Sequence, residues 1–138
     1  MKRTTIPRPH AMLALLAFVA ACQAVSPPPA VPLAGSWGGE HVSLVLDENG
    51  GALEYDCAAG TIDEPVRPDA SGRFTAQGTH TPFSGGPERI DQPRPRLTAT
   101  YAGRVEGGRL TLDVRAGEQH FGPFLLRRDA PANLIRCL

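Results

Sequence analysis

The sequence lacks most of the features that would commit a chain to one chemistry. Its longest apolar run, residues 11–20, is about half the roughly twenty residues that a membrane-spanning helix needs. No apolar stripe of 3.6-residue period is long enough to make a helical domain. That also removes the Gly-rich phosphate loop, which must open a helix. The three cysteines, Cys22, Cys57 and Cys137, include no C-x-x-C pair, so a dithiol redox reading has no support. The serines have no His/Asp partner at a recognised spacing, and Ser71 and Ser84 sit in Gly-rich stretches that read as turns. Asp63 and Glu64 are chain neighbours and diverge on an extended backbone, so they do not make a paired-carboxylate site. Lys2 is the only lysine, a bias that reads as the mark of a GC-rich genome rather than of a function.

What is present begins at Cys22. It closes Val19-Ala20-Ala21-Cys22, after the apolar run and a basic start of Lys2, Arg3 and Arg8. This order resembles a bacterial lipoprotein signal peptide with its lipobox. The resemblance implies cleavage before Cys22 and lipidation of its thiol, palmitate included. Two or more acyl chains anchor stably where one does not, so the expected protein is held firmly at a membrane. Gln23 stands where an aspartate would signal inner-membrane retention. The expected location is therefore the cell envelope, on the outer membrane facing the periplasm. Residues 1–21 are then signal peptide, 22–34 a lipidated cysteine with a Pro-rich tether (Pro27, Pro28, Pro29, Pro32), and 35–138 one domain. The tether's prolines favour extended polyproline II.

Loss of the signal segment leaves eleven arginines against fourteen carboxylates. A mildly acidic chain argues against nucleic acid as a partner, because phosphate binding needs a basic surface. With Cys22 assigned to lipid, Cys57 and Cys137 remain in an oxidising compartment, where leftover cysteines usually pair. Closing so long a loop stabilises by at most about 4.5 kcal/mol.

Downstream of residue 35 the period is two. Val42, Leu44 and Leu46 alternate with His41, Ser43 and Val45, and Leu53, Tyr55 and Cys57 with Ala52, Glu54 and Asp56, which points Cys57 inward with the apolar set. A third segment falls at 61–66, with Pro65 against it. Phe74, Ala76, Gly78 and His80 share a face; so do Leu97, Ala99, Tyr101, Gly103 and Val105. Gly107-Gly108 signals a tight hairpin, answered by Leu110, Leu112 and Val114. A last strand runs near 119–127, with Phe124 and Leu126 inward. The pattern predicts an all-β domain: a small antiparallel up-and-down barrel of about seven strands, with a two-sheet sandwich as the alternative.

Three stretches carry family resemblances. Gly35-Ser36-Trp37 looks like the Gly-x-Trp that opens the first strand of lipocalin-like small barrels, where the indole plugs one end. Residues 37–41 and 55–62 resemble a family of small bacterial lipoproteins, a likeness that supplies no catalytic residue. Tyr55-x-Cys57-x-x-Gly60 with a late Cys137 resembles the periplasmic C-type lysozyme inhibitors, which are lipid-anchored barrels with a similarly placed disulfide. Their Ser-Gly-x-x-Tyr loop is only half matched by Ser71-Gly72-Arg73-Phe74, and their second, lysine-bearing loop has no counterpart.

Candidate sites are few. Glu40, His80 and His120 reach one barrel mouth on inward parity if the strands follow in order, and would make an open zinc site; no cofactor is otherwise expected. Arg94/Arg96 and Arg127/Arg128 read as strand-edge charges that block aggregation, with anion binding as the alternative. The 81–95 loop is long for a compact domain and is the better functional candidate. Small residues on inward parity (Ala76, Gly78, Ala99, Gly103) suggest room for a cavity. The leading expectation is a non-enzymatic, lipid-anchored module that binds a small apolar ligand or another envelope protein. Behind it stand an inhibitor of a cell-wall hydrolase and, last, a metal-dependent envelope enzyme.

Overall fold

The structure, a computed structural model, describes residues 26–83, 86 and 90–137. Cys22, the signal segment and the first part of the tether lie outside the described residues. Eight strands close into one antiparallel barrel: β1 (Gly35–Gly39), β2 (Val42–Leu46), β3 (Gly51–Tyr55), β4 (Ala58–Ile62), β5 (Arg73–Pro82), β6 (Leu97–Glu106), β7 (Arg109–Ala116) and β8 (Gln119–Arg128). No helix occurs among the described residues. Each strand pairs with the next, and β8 closes on β1 through Trp37↔Arg128 and Gly39↔Leu126. Closure leaves no open sheet edge.

The eighth strand arises because the stretch from residue 35 to 46 is two strands. A two-residue turn, Glu40-His41, reverses the chain, with Gly39 opposite Val42. His41 takes a left-handed backbone (φ 66°). Its ring bonds Asp56 in the neighbouring turn at 2.5 Å, which helps to hold a conformation that residues with a Cβ seldom adopt. The β3–β4 connection is the same kind of turn, Asp56-Cys57, with Cys57 at φ 60°. Cys57 therefore does not point inward behind Leu53 and Tyr55 as alternation predicts. It stands at the tip of a turn, and the third segment starts at Ala58 rather than at residue 61.

The antiparallel order defines two ends. At the entry end lie Gly35, the β2–β3 turn, the 63–72 connection, Gly107-Gly108 and the end of β8. At the opposite end lie Glu40-His41, Asp56-Cys57, the 83–96 connection and Gly117-Glu118. Beyond β8 the chain turns back along the outside of β1. A Cβ on Gly38 would fall within 2.7 Å of the Ala130 and Pro131 backbone, so only glycine admits this crossing. Asn133 then pairs alongside Glu40, and Cys137 is disulfide-bonded to Cys57, with Cα atoms 5.1 Å apart.

The interior is filled by the chain's own side chains. Trp37, Leu44, Leu53, Tyr101, Leu110, Leu112 and Leu126 are all buried. The inward glycines do not open a cavity. A Cβ on Gly103 would stand 2.6 Å from the Phe74 ring, and Gly60 lies directly under the hydroxyls of Tyr101 and Tyr55. Small residues on one strand thus seat aromatic rings from another, which is how an eight-stranded barrel packs solid. The last part of the expected tether also joins the fold. Leu33 packs on the core and its N–H donates to Val66 O at 2.7 Å.

Candidate functional site

The three residues expected to converge at one mouth do reach the opposite end, but on different faces. His80 is inside and fully buried. Glu40 is in the β1–β2 turn, exposed, and accepts from Asn133 Nδ2 at 2.8 Å. His120 is on the outer wall, with Nε2 2.9 Å from Asp113 Oδ1. The expected parity of His120 fails because β8 carries a bulge. Val114 pairs with Phe121 and Leu112 with Phe124, so β8 has one residue more than β7 across this step, at Gly122-Pro123. The extra residue turns Phe121 inward and His120 outward. Among the described residues, no group of three His, Cys, Asp or Glu side chains is arranged to hold a metal ion.

What gathers around His80 is an aromatic cluster that the sequence pattern did not single out. Its ring lies 4.6 Å from Phe121 and 5.5 Å from Tyr55, centre to centre, and Tyr55 stacks on Phe124 at 5.7 Å. Polar atoms within the cluster are chained. Tyr101 O–H donates to Thr79 O at 2.6 Å, the Tyr55 and Tyr101 hydroxyls are 3.4 Å apart, and His80 Nδ1 is 3.2 Å from the Tyr55 hydroxyl. With the Tyr101 proton committed to Thr79, one direction satisfies all three links: His80 Nδ1–H to Tyr55, Tyr55 O–H to Tyr101, Tyr101 to Thr79. Burial pushes the Tyr55 phenol well above its usual range, raises that of Tyr101 and pushes the His80 imidazole down. Hydrogen bonds and stacked rings tie the cluster together. It acts as the polar seam of the core.

This seam carries a pH prediction. Folded His80 binds its second proton less readily than unfolded histidine, whose ordinary value is 6.5. Above that value both states are neutral and the pairing costs nothing. As pH falls through it, the unfolded state takes up a proton that the folded state refuses, so stability drops. The expected loss has a slope of up to about 1.4 kcal/mol per pH unit for one proton. Urea unfolding at stepped pH, comparing the parent chain with His80→Gln, measures it. Equal acid slopes in the two proteins would remove His80 as the cause.

Two grooves lie on the outer wall. The larger, about 930 Å³, runs between the outward faces of β4–β5 and the 83–96 connection, with Thr61, Thr79, Phe83, Ile90, Pro93 and Arg94 along it. Arg94 stacks over Phe83 at 4.5 Å. Ile90 is wholly exposed, at 105% of its reference area. The sequence pointed to this segment by its length alone. The smaller groove, about 410 Å³, crosses β6–β8 near the entry end. Ser71, the half-match to an inhibitor loop, is tied down locally: its Oγ and N–H both donate to Asp69 Oδ1, at 2.7 and 2.8 Å. Comparison of the chain with protein-family models, with curated proteins and with solved structures finds no match.

Proposed function

We propose that the chain is a non-enzymatic, lipid-anchored binding module of the cell envelope, and that its partner is another envelope protein held on the outer wall at the 83–96 segment. The observation that carries this reading is the placement of space. The barrel interior is packed by Trp37, Tyr101 and the leucines, while the 930 Å³ groove lies outside, beneath Phe83 and Ile90. A fully exposed isoleucine beside a stacked Arg–Phe pair is the composition of a contact surface, where aromatic and arginine side chains dominate binding. The donors of the His80 cluster are spent on neighbours within the core, which leaves the outer wall as the surface that meets a partner. The anchor follows from the Val19–Cys22 motif and places such a partner in the same envelope.

The test is site-specific photocrosslinking in the host envelope, with the photoreactive group at residue 90. The expected result is one discrete adduct, reduced at least tenfold by Thr61→Arg in the same groove, a loss in the range of a binding hot spot. A control group at Val45, exposed on β2 toward the entry end and outside the groove, should give none. Identical patterns from both positions, or no adduct at residue 90, would overturn the reading. Native mass spectrometry of the detergent-released chain covers the other ligand class, since a co-purifying small lipid would move the reading to an apolar ligand.

A further inference from the structure

Closure of the barrel removes the reason that the sequence offered for the arginines of β8, since no edge is left to protect. Their pairing makes them harder to explain as idle surface charge. Arg109 lies directly opposite Arg127, and Arg73 directly opposite Arg104. Like charges in opposed positions weaken a sheet. The two pairs adjoin, because Arg104 faces Thr111 on β7, two residues along from Arg109. Glu106 lies on the same ladder, directly opposite Arg109 on the β6 side, and is bridged to Arg104 at 2.7 Å, so one carboxylate stands among these arginines. Asp69 sits at the margin beside Arg73, and Asp113 is turned to His120 one row further on. Arg104, Arg109 and Arg127, with the one carboxylate of Glu106 among them, border the 410 Å³ groove, and Thr111 and the largely exposed Leu125 (73%) form its floor. A guanidinium rim over a leucine floor matches a phosphate with an acyl chain attached, since planar guanidiniums pair bidentately with phosphate oxygens.

We propose that the β6–β8 wall at the entry end is a membrane-facing surface, and that the groove between Arg104, Arg109 and Arg127 takes the phosphate headgroup of an anionic lipid. The direction of the chain favours lipid as the source. The N-terminal segment leaves the barrel at the entry end, where Arg128 donates to Ala34 O at 3.0 Å and Arg67 donates to Ala30 O at 2.5 Å. Three residues separate Cys22 from Ser26, so acylation at Cys22 would hold this end close to a bilayer. That last step rests on the anchored reading; the charge pattern does not. Docked at the entry end of β6–β8, the barrel keeps the groove on β4–β5, toward the opposite end, away from the contact.

The test uses the full chain carrying Cys22→Ser, which no acyl group can hold, in cosedimentation with vesicles of phosphatidylcholine alone or with phosphatidylglycerol. A basic residue near an anionic surface contributes about fivefold in partitioning. The expected result is that R104Q/R109Q/R127Q binds phosphatidylglycerol vesicles roughly a hundredfold more weakly than the parent, with phosphatidylcholine binding unchanged. Arg136→Gln, exposed beside Cys137 at the opposite end and off this wall, should change nothing. Residues 1–25 contribute equally to every variant. Removing opposed like charges should leave the triple variant melting no lower than the parent, so a loss of binding cannot be assigned to unfolding. Arg109→Gln alone, at about fivefold, serves as the milder variant. Equal binding by parent and triple variant overturns the proposal. So does release from vesicles by millimolar inorganic phosphate, which would make the groove a site for soluble anions. Neither result touches the anchor, which is read separately from the intact mass of the membrane-extracted chain at Cys22.

Discussion

Trp37→Ala is expected to destabilise the barrel by about 3–5 kcal/mol, the range for truncating a buried large aromatic. Against a typical net stability of about 5–15 kcal/mol, that is enough to leave much of the chain unfolded at physiological temperature. The indole is 1% exposed and sits opposite Leu44, in the short strand that both β2 and β8 must clasp to close the barrel. Arg128 stacks on it from β8 at 4.5 Å, while the same guanidinium donates to Ala34 O. Loss of the indole therefore empties the core at its seam and removes the platform on which the last strand and the incoming chain are held together. Trp37→Phe keeps a ring under Arg128 and should cost less than half as much. A double-mutant cycle with Arg128→Ala isolates the stack, for which about 0.5–1 kcal/mol of coupling is expected at a site open to water. Equilibrium urea unfolding with unchanged m-value is the measurement. A Trp37→Ala chain within 1 kcal/mol of the parent would mean that the β1–β8 seam is not what holds the fold closed.

The elements legible in the sequence were those in which the local signal and the tertiary structure agree. The β6–β7 hairpin is written in full by Leu97, Ala99, Tyr101 and Gly103 against Leu110, Leu112 and Val114 around Gly107-Gly108, and it forms in that register. The Glu40-His41 turn carries no such signal. Neither residue is a turn former, and the turn is held by bonds from elsewhere, to Asp56 and to Asn133 O. Alternation read through it merged two strands into one. The β8 bulge was different, because its signal was present. Pro123 inside an apolar strand marks a break in the ladder, and reading it would have turned His120 outward. The aromatic seam around His80 was hidden for a third reason. Tyr55, His80, Tyr101 and Phe121 come from four strands, and nothing in the spacing says which rings will meet across a barrel.

Inward glycine and alanine were equally ambiguous until the facing residues were known. In a wide barrel they would border a cavity. Here Gly60 and Gly103 receive the rings of Tyr101 and Phe74, and the search for a binding surface moves to the outer wall. There the two grooves differ in kind. One lies on β4–β5 beside Phe83 and the exposed Ile90, the other on β6–β8 between opposed arginines and Glu106. The first is an apolar surface and the second a charged one, and they stand toward opposite ends of the barrel.

Removal of the Cys57–Cys137 bridge is the second change with a large expected effect. The bond closes a loop of 80 residues; the chain-entropy argument gives about 4.5 kcal/mol as the ceiling. Less than that should be lost, because the C-terminal segment has its own hold on the barrel. Asn133 N–H donates to Gly39 O at 3.0 Å, His41 N–H to Asn133 O at 2.7 Å, and Ile135 N–H to Asp56 Oδ1 at 2.6 Å. The Cys57→Ser/Cys137→Ser chain should therefore lose about 2–4 kcal/mol and remain a closed barrel. Its native-state amide exchange should quicken at Ile135 and His41 while Leu112 and Tyr101 hold their protection relative to global unfolding. The choice of residue at position 57 separates two causes. Cys57 is left-handed at φ 60°, a conformation that costs a residue with a Cβ roughly 1–2 kcal/mol and glycine almost nothing. Cys57→Gly/Cys137→Ser should accordingly recover up to about 1 kcal/mol over the serine pair, the remainder being offset by the greater freedom of glycine in the unfolded chain. Thiol titration of the denatured, unreduced parent should find neither Cys57 nor Cys137 free. If both are free there, or if the two double variants are as stable as the parent, the bridge contributes nothing and the turn at residues 56–57 must stand on its hydrogen bonds alone.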